Sequence, residues 1–437
     1  MDVSILDYKP FKDGIRNDAS KFQQAIDDVY KSGGGRVIVN EGHYSLGSIE
    51  LKDNVCLYLK KNSYLKMSSS LDELVNLGIK KDLNIYQPTY EKCDYDGKPT
   101  KFFIYARDAK NISIEGEGTI DGNEEIFYGK QTEWHIEGAF YPRVPLLCLI
   151  NIKNLTLKDV TLTNSAFWTC HLVGCDNVLI DHLTILNNLR MVNCDGIDPD
   201  HCRNVVIKNT HIESADDCIV IKSTEGYKEY GPSYNIRVSN CDLMSTSAAI
   251  KFGSESVSDF KDISFENINI HDSNRGISLQ LRDEGNISNI SFKNIKISTR
   301  LFSPLFWWGR AEAIALTAVR RKKDSILGSI SNITFENITS IGENGIFIYG
   351  TNKNIHDIKF NNINLNIVRK TKWENNSHDI RPCYNEGIFS DHLTLVYINE
   401  ASNLYLSNIK LNVEASLTVP QSDYVNILNS NNINIAY

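Results

Sequence analysis

Long apolar runs are missing from this chain of 437 residues. The longest, Val144 to Ile150, has seven residues, too few to cross a bilayer as a helix, so no membrane partner is expected. Missing too is the basic segment followed by an apolar stretch that marks a secretory signal, since the chain starts MDVSILDYKPF; cytoplasmic residence is the expectation. Basic residues are not in excess. Lys and Arg number 46 against 54 Asp and Glu, a net charge of −8, which argues against a nucleic-acid partner. The ten cysteines include no C-x-x-C pair and several sit inside strand patterns, so buried free thiols are expected rather than a disulfide framework. His182, His201 and His211 are spaced by 19 and 10 residues, which matches no compact metal-ligand motif. A phosphate loop is lacking, because Gly33-Gly34-Gly35 follows a helical pattern rather than a strand, and no nucleophilic Ser or Cys arrangement occurs. No metal and no other cofactor is expected.

What the chain has instead is a repeat. An Asn or Asp followed by two short runs of alternating apolar and polar residues begins at Asn154, Asn177, Asn204, Asn235, Asp262, Asn289, Asn332, Asp357 and Asn403, at intervals of 23, 27, 31, 27, 27, 43, 25 and 46. The shorter intervals suit one coil of a β-solenoid, and the two longest suit a coil that carries a loop insertion. The alternation has period two, the strand signature, with Val, Ile, Leu and Phe at the inward positions. One such unit cannot bury its apolar side, but stacked units share a continuous core. The Asn residues at equivalent places suit a turn, where they tolerate positive φ and form ladders. No Pro, Gly or Ser linker interrupts the repeat, so a single domain over 1–437 is expected, with 1–70 as the N-terminal cap and first coils. Asp18 to Lys31 has Phe22, Ile26 and Val29 at helical spacing, Asp18 as a plausible N-cap and the three glycines as a stop. That predicts a short helix capping the first coil, as solenoid ends require.

Asp195 precedes the adjacent pair Asp216 and Asp217 by 21 and 22 residues, close to the repeat period, so the three carboxylates are predicted to stack. Crowded carboxylates repel, which raises at least one pKa and supplies an acid beside a base, the requirement for hydrolysing a glycosidic bond. Further on, Arg275, Arg282, Arg300, Arg310, Arg320 and Arg321 fall within 47 residues. They are either a solvated face spread over several coils or a subsite for an acidic sugar, whose carboxylate a guanidinium fork matches.

Six stretches bear a wider likeness: DGIRNDASKFQQAIDD and GGGRVIVNEGHY near the start, EGEGTIDGN at 115–123, NSAFW at 164–168, and the N-C-D-G and D-D-C-I-V-I-K-S segments that hold the acids. With these the chain resembles the polygalacturonases and related enzymes of glycoside hydrolase family 28. The resemblance implies an all-β, right-handed parallel β-helix with a short N-terminal capping helix, acting on pectic sugars with inversion. It implies Asp216 as the general acid and Asp195 with Asp217 as the pair that activates water. Asn193 and Lys222 lie in the same motifs and join the candidate substrate contacts, Lys222 either helping to keep the neighbouring carboxylates ionised or forming a purely structural ion pair.

The likeness also breaks. Where the family carries Gly-His-Gly this chain has Thr246-Ser247-Ala248, and where it carries Arg-Ile-Lys after a glycine this chain reads Gly276-Ile277-Ser278-Leu279-Gln280. Ser247 and Gln280 stand where a histidine and a cation are expected, and Lys251, Arg275 and Arg282 are candidates to replace the lost charge. Stepping by coil lengths from the acids places Trp168, Lys251, Arg282 and Arg310 along one face, with Trp307 and Trp308 beside Arg310. Aromatic rings pack on sugar faces and cations bind sugar carboxylates. Segment 83–105 and the two long insertions are expected to wall off a groove, favouring exo action on short oligosaccharides. The expected partner is an acidic oligosaccharide; the oligomeric state is open. A related hydrolase on a neutral glycan, a polysaccharide lyase, a sugar epimerase and a non-catalytic carbohydrate-binding solenoid are the rival readings.

Overall fold

Strands stacked in parallel, one above the next, account for nearly all the regular structure in the computed structural model, which describes residues 1–76, 101–138 and 143–437. Most of the segment expected to wall the groove, 83–100, lies outside the described residues. Contacts gather the described chain into two compact units, one taking Met1 to Ala215 with Glu229–Gly231, the other Asp216–Lys228 and Pro232–Tyr437.

In the first unit the repeat segments stack in register. Ile112, Leu155, Val178 and Val205 form one column and Ile114, Leu157, Ile180 and Ile207 the next. A second face stacks Ile104, Leu147, Cys170 and Ile197. These side chains are 0–2% exposed, and each contributes roughly 1.5–3 kcal/mol through burial. The helix spans Ala19–Lys31 and buries Phe22, Ile26 and Val29 as its spacing predicts. Its cap differs from expectation. Asp18 makes no side-chain bond to the helix, because its carboxylate accepts the N–H groups of Phe11 at 2.6 Å and Lys12 at 3.0 Å; Asn17 Oδ1 instead accepts the Ala19 N–H at 2.9 Å. Asp18 is fully buried, so it ties the entering chain to the helix start rather than completing the first turn.

In the second unit six long strands, Ser233–Ser245, Phe260–Ser273, Ile287–Thr299, Ile330–Gly342, Ile355–Ile367 and Ala401–Val413, pair in parallel. Their shared pattern puts Phe265, Phe292, Phe335 and Phe360 on one vertical line, with ring centroids 5.2, 4.9 and 4.7 Å apart and planes within 14°. The expected Asn ladder is present in both units. Asn154 and Asn177 donate to the preceding rung at 2.7 Å, Asn432 donates to Asn403 at 2.8 Å, and these residues hold φ between 54 and 62°. Such positive φ suits Asn, whose short polar side chain tolerates the left-handed region. A second face stacks Ile219–Ser223, Ala248–Ser256, Arg275–Leu281 and Ile314–Ala318. Ile250, Ile277 and Ile314 point into the core there, which turns Lys251, Ser278 and Ala315 outward in one row. Seven of the nine described cysteines are buried. No helix among the described residues is long and apolar enough to cross a membrane.

Candidate active site

The acids fall in both units, and each is described within its own. In the first unit Asp195 sits at the turn that leads into strand Ile197–Asp200, where its carbonyl accepts the Thr169 N–H at 2.8 Å and its side chain is buried. The turn is braced by Asn187, which the sequence motifs do not mark. The Asn187 amide donates to Thr169 Oγ1 at 2.8 Å, to the Cys194 carbonyl at 3.0 Å and to Ser214 Oγ at 3.2 Å, while its Oδ1 accepts the Ser165 N–H at 3.1 Å. One buried amide thus links three successive bends of the chain, a stabilising arrangement because every bond is formed away from water. Asn193, at φ 59°, accepts from Arg143 Nη2 at 2.6 Å; the other arm of Arg143 donates to the Ala166 carbonyl at 2.9 Å and to that of Val192. Arg143 was another residue with no signal in the repeat. Trp168 is 4% exposed, stacked on Phe167 at 5.0 Å and edge-on to His171 at 4.7 Å, so it packs under this turn rather than offering a sugar platform.

In the second unit Asp216 and Asp217 precede strand Ile219–Ser223, with a carboxylate oxygen of each within 4.8 Å of the other. Asp216 is half-buried, its carbonyl accepts Ser245 Oγ at 2.8 Å, and its carboxylate accepts the Asp217 N–H at 3.1 Å. Asp217 is 1% exposed and is surrounded by donors: Ser247 Oγ at 2.9 Å and Ala248 N–H at 3.0 Å to one oxygen, and Lys251 Nζ at 2.6 Å to the other. That pattern suits a carboxylate anion, which only accepts. Ser247 therefore gives Asp217 a neutral donor, and Lys251 faces the acid. Lys222, on the face shared with Val220, is buried to 8% exposure.

The remaining candidates are placed otherwise than the coil count suggests. Arg275 is 1% exposed and grips Glu312 through Nε at 2.9 Å and Nη2 at 3.0 Å. Arg282 is fully buried, with bonds of 2.6–3.0 Å to the carbonyls of Pro382, Leu281, Thr317 and Ile380 and to Thr317 Oγ1; burial pushes its pKa down to about 9. Arg310 is 2% exposed and donates to the carbonyls of Pro304 and Glu374. These three arginines fasten the insertion that follows Ile367 onto the body of the unit, and their burial takes them out of the expected set of sugar contacts. The physical reason is register. Lys251 is followed on its row by Ser278 and Ala315, whereas Arg282 and Arg310 lie beyond the strands, where a fixed step along the sequence does not track the stack. Gln280, on the outward side of its strand beside Thr317, is covered to 2% exposure, and Trp307 is 5% exposed beneath Phe306, so both are buried. It is Trp308 that stays part-exposed, its ring centroid 6.0 Å from Lys251 Nζ.

Comparison with known proteins gives a consistent picture. The family described as "Glycosyl hydrolases family 28" matches residues 64–383. A probable polygalacturonase of Vitis vinifera is 29% identical over 318 residues, covering 70% of this chain and 62% of that relative. The matched part therefore spans under two thirds of that relative's length. An endo-polygalacturonase of Pectobacterium parmentieri is 24% identical over 321 residues, 70% of this chain and 76% of its own. Among solved structures, the family 28 exopolygalacturonase of Yersinia enterocolitica superposes with a TM-score of 0.73 at 19% identity, over 99% of this chain and 78% of that one. That likeness shows the right-handed parallel β-helix fold.

Proposed function

This chain belongs to glycosyl hydrolases family 28, and from that premise we propose that it hydrolyses α-linked galacturonate in pectic oligosaccharides. The observation that carries the reading is Asp217 fixed by Ser247, Ala248 and Lys251 next to the more exposed Asp216. Two adjacent carboxyls in different surroundings are suited to different roles. Asp216, the more exposed of the two, donates a proton to the leaving oxygen. Asp217 holds and deprotonates the attacking water, which adds to the anomeric carbon as the glycosidic bond breaks. Lys251 balances the negative charge on Asp217 through the cycle, the work a separate histidine does not do here because Ser247 cannot titrate.

Asp216 and Asp217 are nearer than the roughly 6.5–9.5 Å typical of an inverting pair, so inversion is proposed from the family and not from their spacing. Exo action is proposed from the insertion that the three buried arginines hold in place. Proton NMR of the first product tests the reading: a β anomer from an α-linked galacturonate oligomer supports it, and Asp216→Asn is expected to slow release by about 10²–10⁴-fold. An unsaturated product absorbing in the ultraviolet would assign a lyase instead. Equal cleavage of internal bonds in an end-blocked polymer would remove the exo assignment.

A further inference from the structure

We propose that Trp308 and Arg381 form a uronate-binding subsite beside Asp217, and that this pair, rather than any strand position, sets a preference for acidic over neutral sugars. The proposal rests on the hydrolase reading only for which bond is cut. Both residues come from the insertions: Trp308 lies between strands Ile287–Thr299 and Ile314–Ala318, and Arg381 follows strand Ser377–Asp379.

Lys251 cannot serve this purpose, since its ammonium is already 2.6 Å from Asp217 Oδ2 and its side chain is only 10% exposed. Its ammonium lies 6.0 Å from the Trp308 ring, and Arg381 Cζ lies 5.8 Å from the same ring. The indole is therefore one ammonium away from the acid and has a second cation beside it. A part-exposed indole gives an apolar surface for the carbon face of a sugar, and a guanidinium beside it matches the carboxylate on that sugar. Arg381 has a 25% exposed side chain. Its printed bonds engage Nε and Nη2, to Asp379 at 3.0 and 2.7 Å and to the Leu305 carbonyl at 2.9 Å. Among the described residues none uses Nη1, and a guanidinium has five N–H donors.

The arrangement is preorganised. Asp379 is fully buried and holds both halves, accepting from Arg381 and, at 2.9 Å, from the N–H of Gly309 next to Trp308. Gly309 has φ +121°, and a Cβ there would stand 3.0 Å from Arg275, so the turn that presents Trp308 requires glycine. A site held this way loses little freedom when it binds.

The test is equilibrium binding of trigalacturonate and of its methyl ester to the full chain, with reducing-end release followed on the same samples. The wild type is expected to favour the acid. Arg381→Gln should weaken acid binding by about 10- to 100-fold, the worth of one charged hydrogen bond, and leave the ester unchanged. Arg381→Lys should keep part of the preference, which covers the case in which the Gln variant misfolds. Trp308→Ala should weaken acid and ester by the same factor. An unchanged acid-to-ester ratio in the Arg381 variants, equal losses for both ligands there, or no binding of either ligand by the wild type overturns the proposal. Binding that follows the expected pattern without any reducing ends sinks the hydrolase reading and leaves the subsite standing.

Discussion

Arg275→Met probes the clamp that holds the insertion. In the native protein Arg275 and Glu312 are 1% and 0% exposed, joined by bonds of 2.9 and 3.0 Å, and Arg275 Nη2 also donates to the Asp379 carbonyl at 2.6 Å. Methionine fills similar volume without charge. Glu312 would keep the Arg310 N–H at 2.7 Å but lose its counter-ion inside the protein. Two charged hydrogen bonds contribute about 1.5–3 kcal/mol each, and removing one partner of a buried pair costs about 3–5 kcal/mol; we predict a loss in that last range, a large share of a total stability of about 5–15 kcal/mol. The double variant Arg275→Met with Glu312→Gln leaves no uncompensated charge and should recover most of the loss. Guanidinium chloride unfolding gives the magnitude, and hydrogen exchange gives the location. Amides of Ser377–Asp379 and Ile388–Ser390 should lose protection before those of the long strands, because Arg275 reaches the insertion at Asp379. A single variant within about 1 kcal/mol of wild type, unaltered protection of those amides, or a double variant as unstable as the single would refute the reasoning.

Asn187→Leu removes three donated bonds from the turn that carries Asp195, and it should cost about 1–3 kcal/mol in thermal or denaturant unfolding while lowering kcat more than it raises KM. Phe292→Ala opens a gap between Phe265 and Phe335 in the stacked row, with an expected loss of about 3–5 kcal/mol in the same assay; a loss below about 1 kcal/mol would show that the row collapses around the gap. Although burial opposes it, Arg381, Arg275 and the Gly309 N–H hold the Asp379 carboxyl below its usual range. A depressed carboxyl contributes stability that is fully present above its unfolded pKa of about 3.9 and is lost as pH falls through the folded value. Exchange protection around Ser377–Asp379 should therefore stay constant from neutral pH to about 4 and drop below it, and Asp379→Asn should abolish that acid step.

The stack was legible before any coordinates, and so was much of the acid cluster. Period-two alternation at Asn235, Asp262, Asn289, Asn332 and Asp357 depends only on which side of a strand each residue faces, and a regular interval brings equal positions into line. Asp216, Asp217 and Lys251 could be picked out because they lie within or beside repeat strands. Arg282 and Arg310 misled because they lie between strands, where position is set by the path of an insertion. Asn187, Arg143 and Arg381 carried no periodic signal at all, and Trp308 was marked only as a neighbour of Arg310.

By itself the sequence determined the β-helix, its Asn and Phe rows and the acidic pair, since each follows from local chirality and a spacing written along the chain. Tertiary structure alone decided which arginines are interior props, that Ser247 and Lys251 both serve Asp217, and that Trp308, rather than Trp168 or Trp307, is left in reach of solvent. Those outcomes depend on how long insertions fold back and exclude water from particular charges, and burial is a property of the assembled surface rather than of neighbours in sequence.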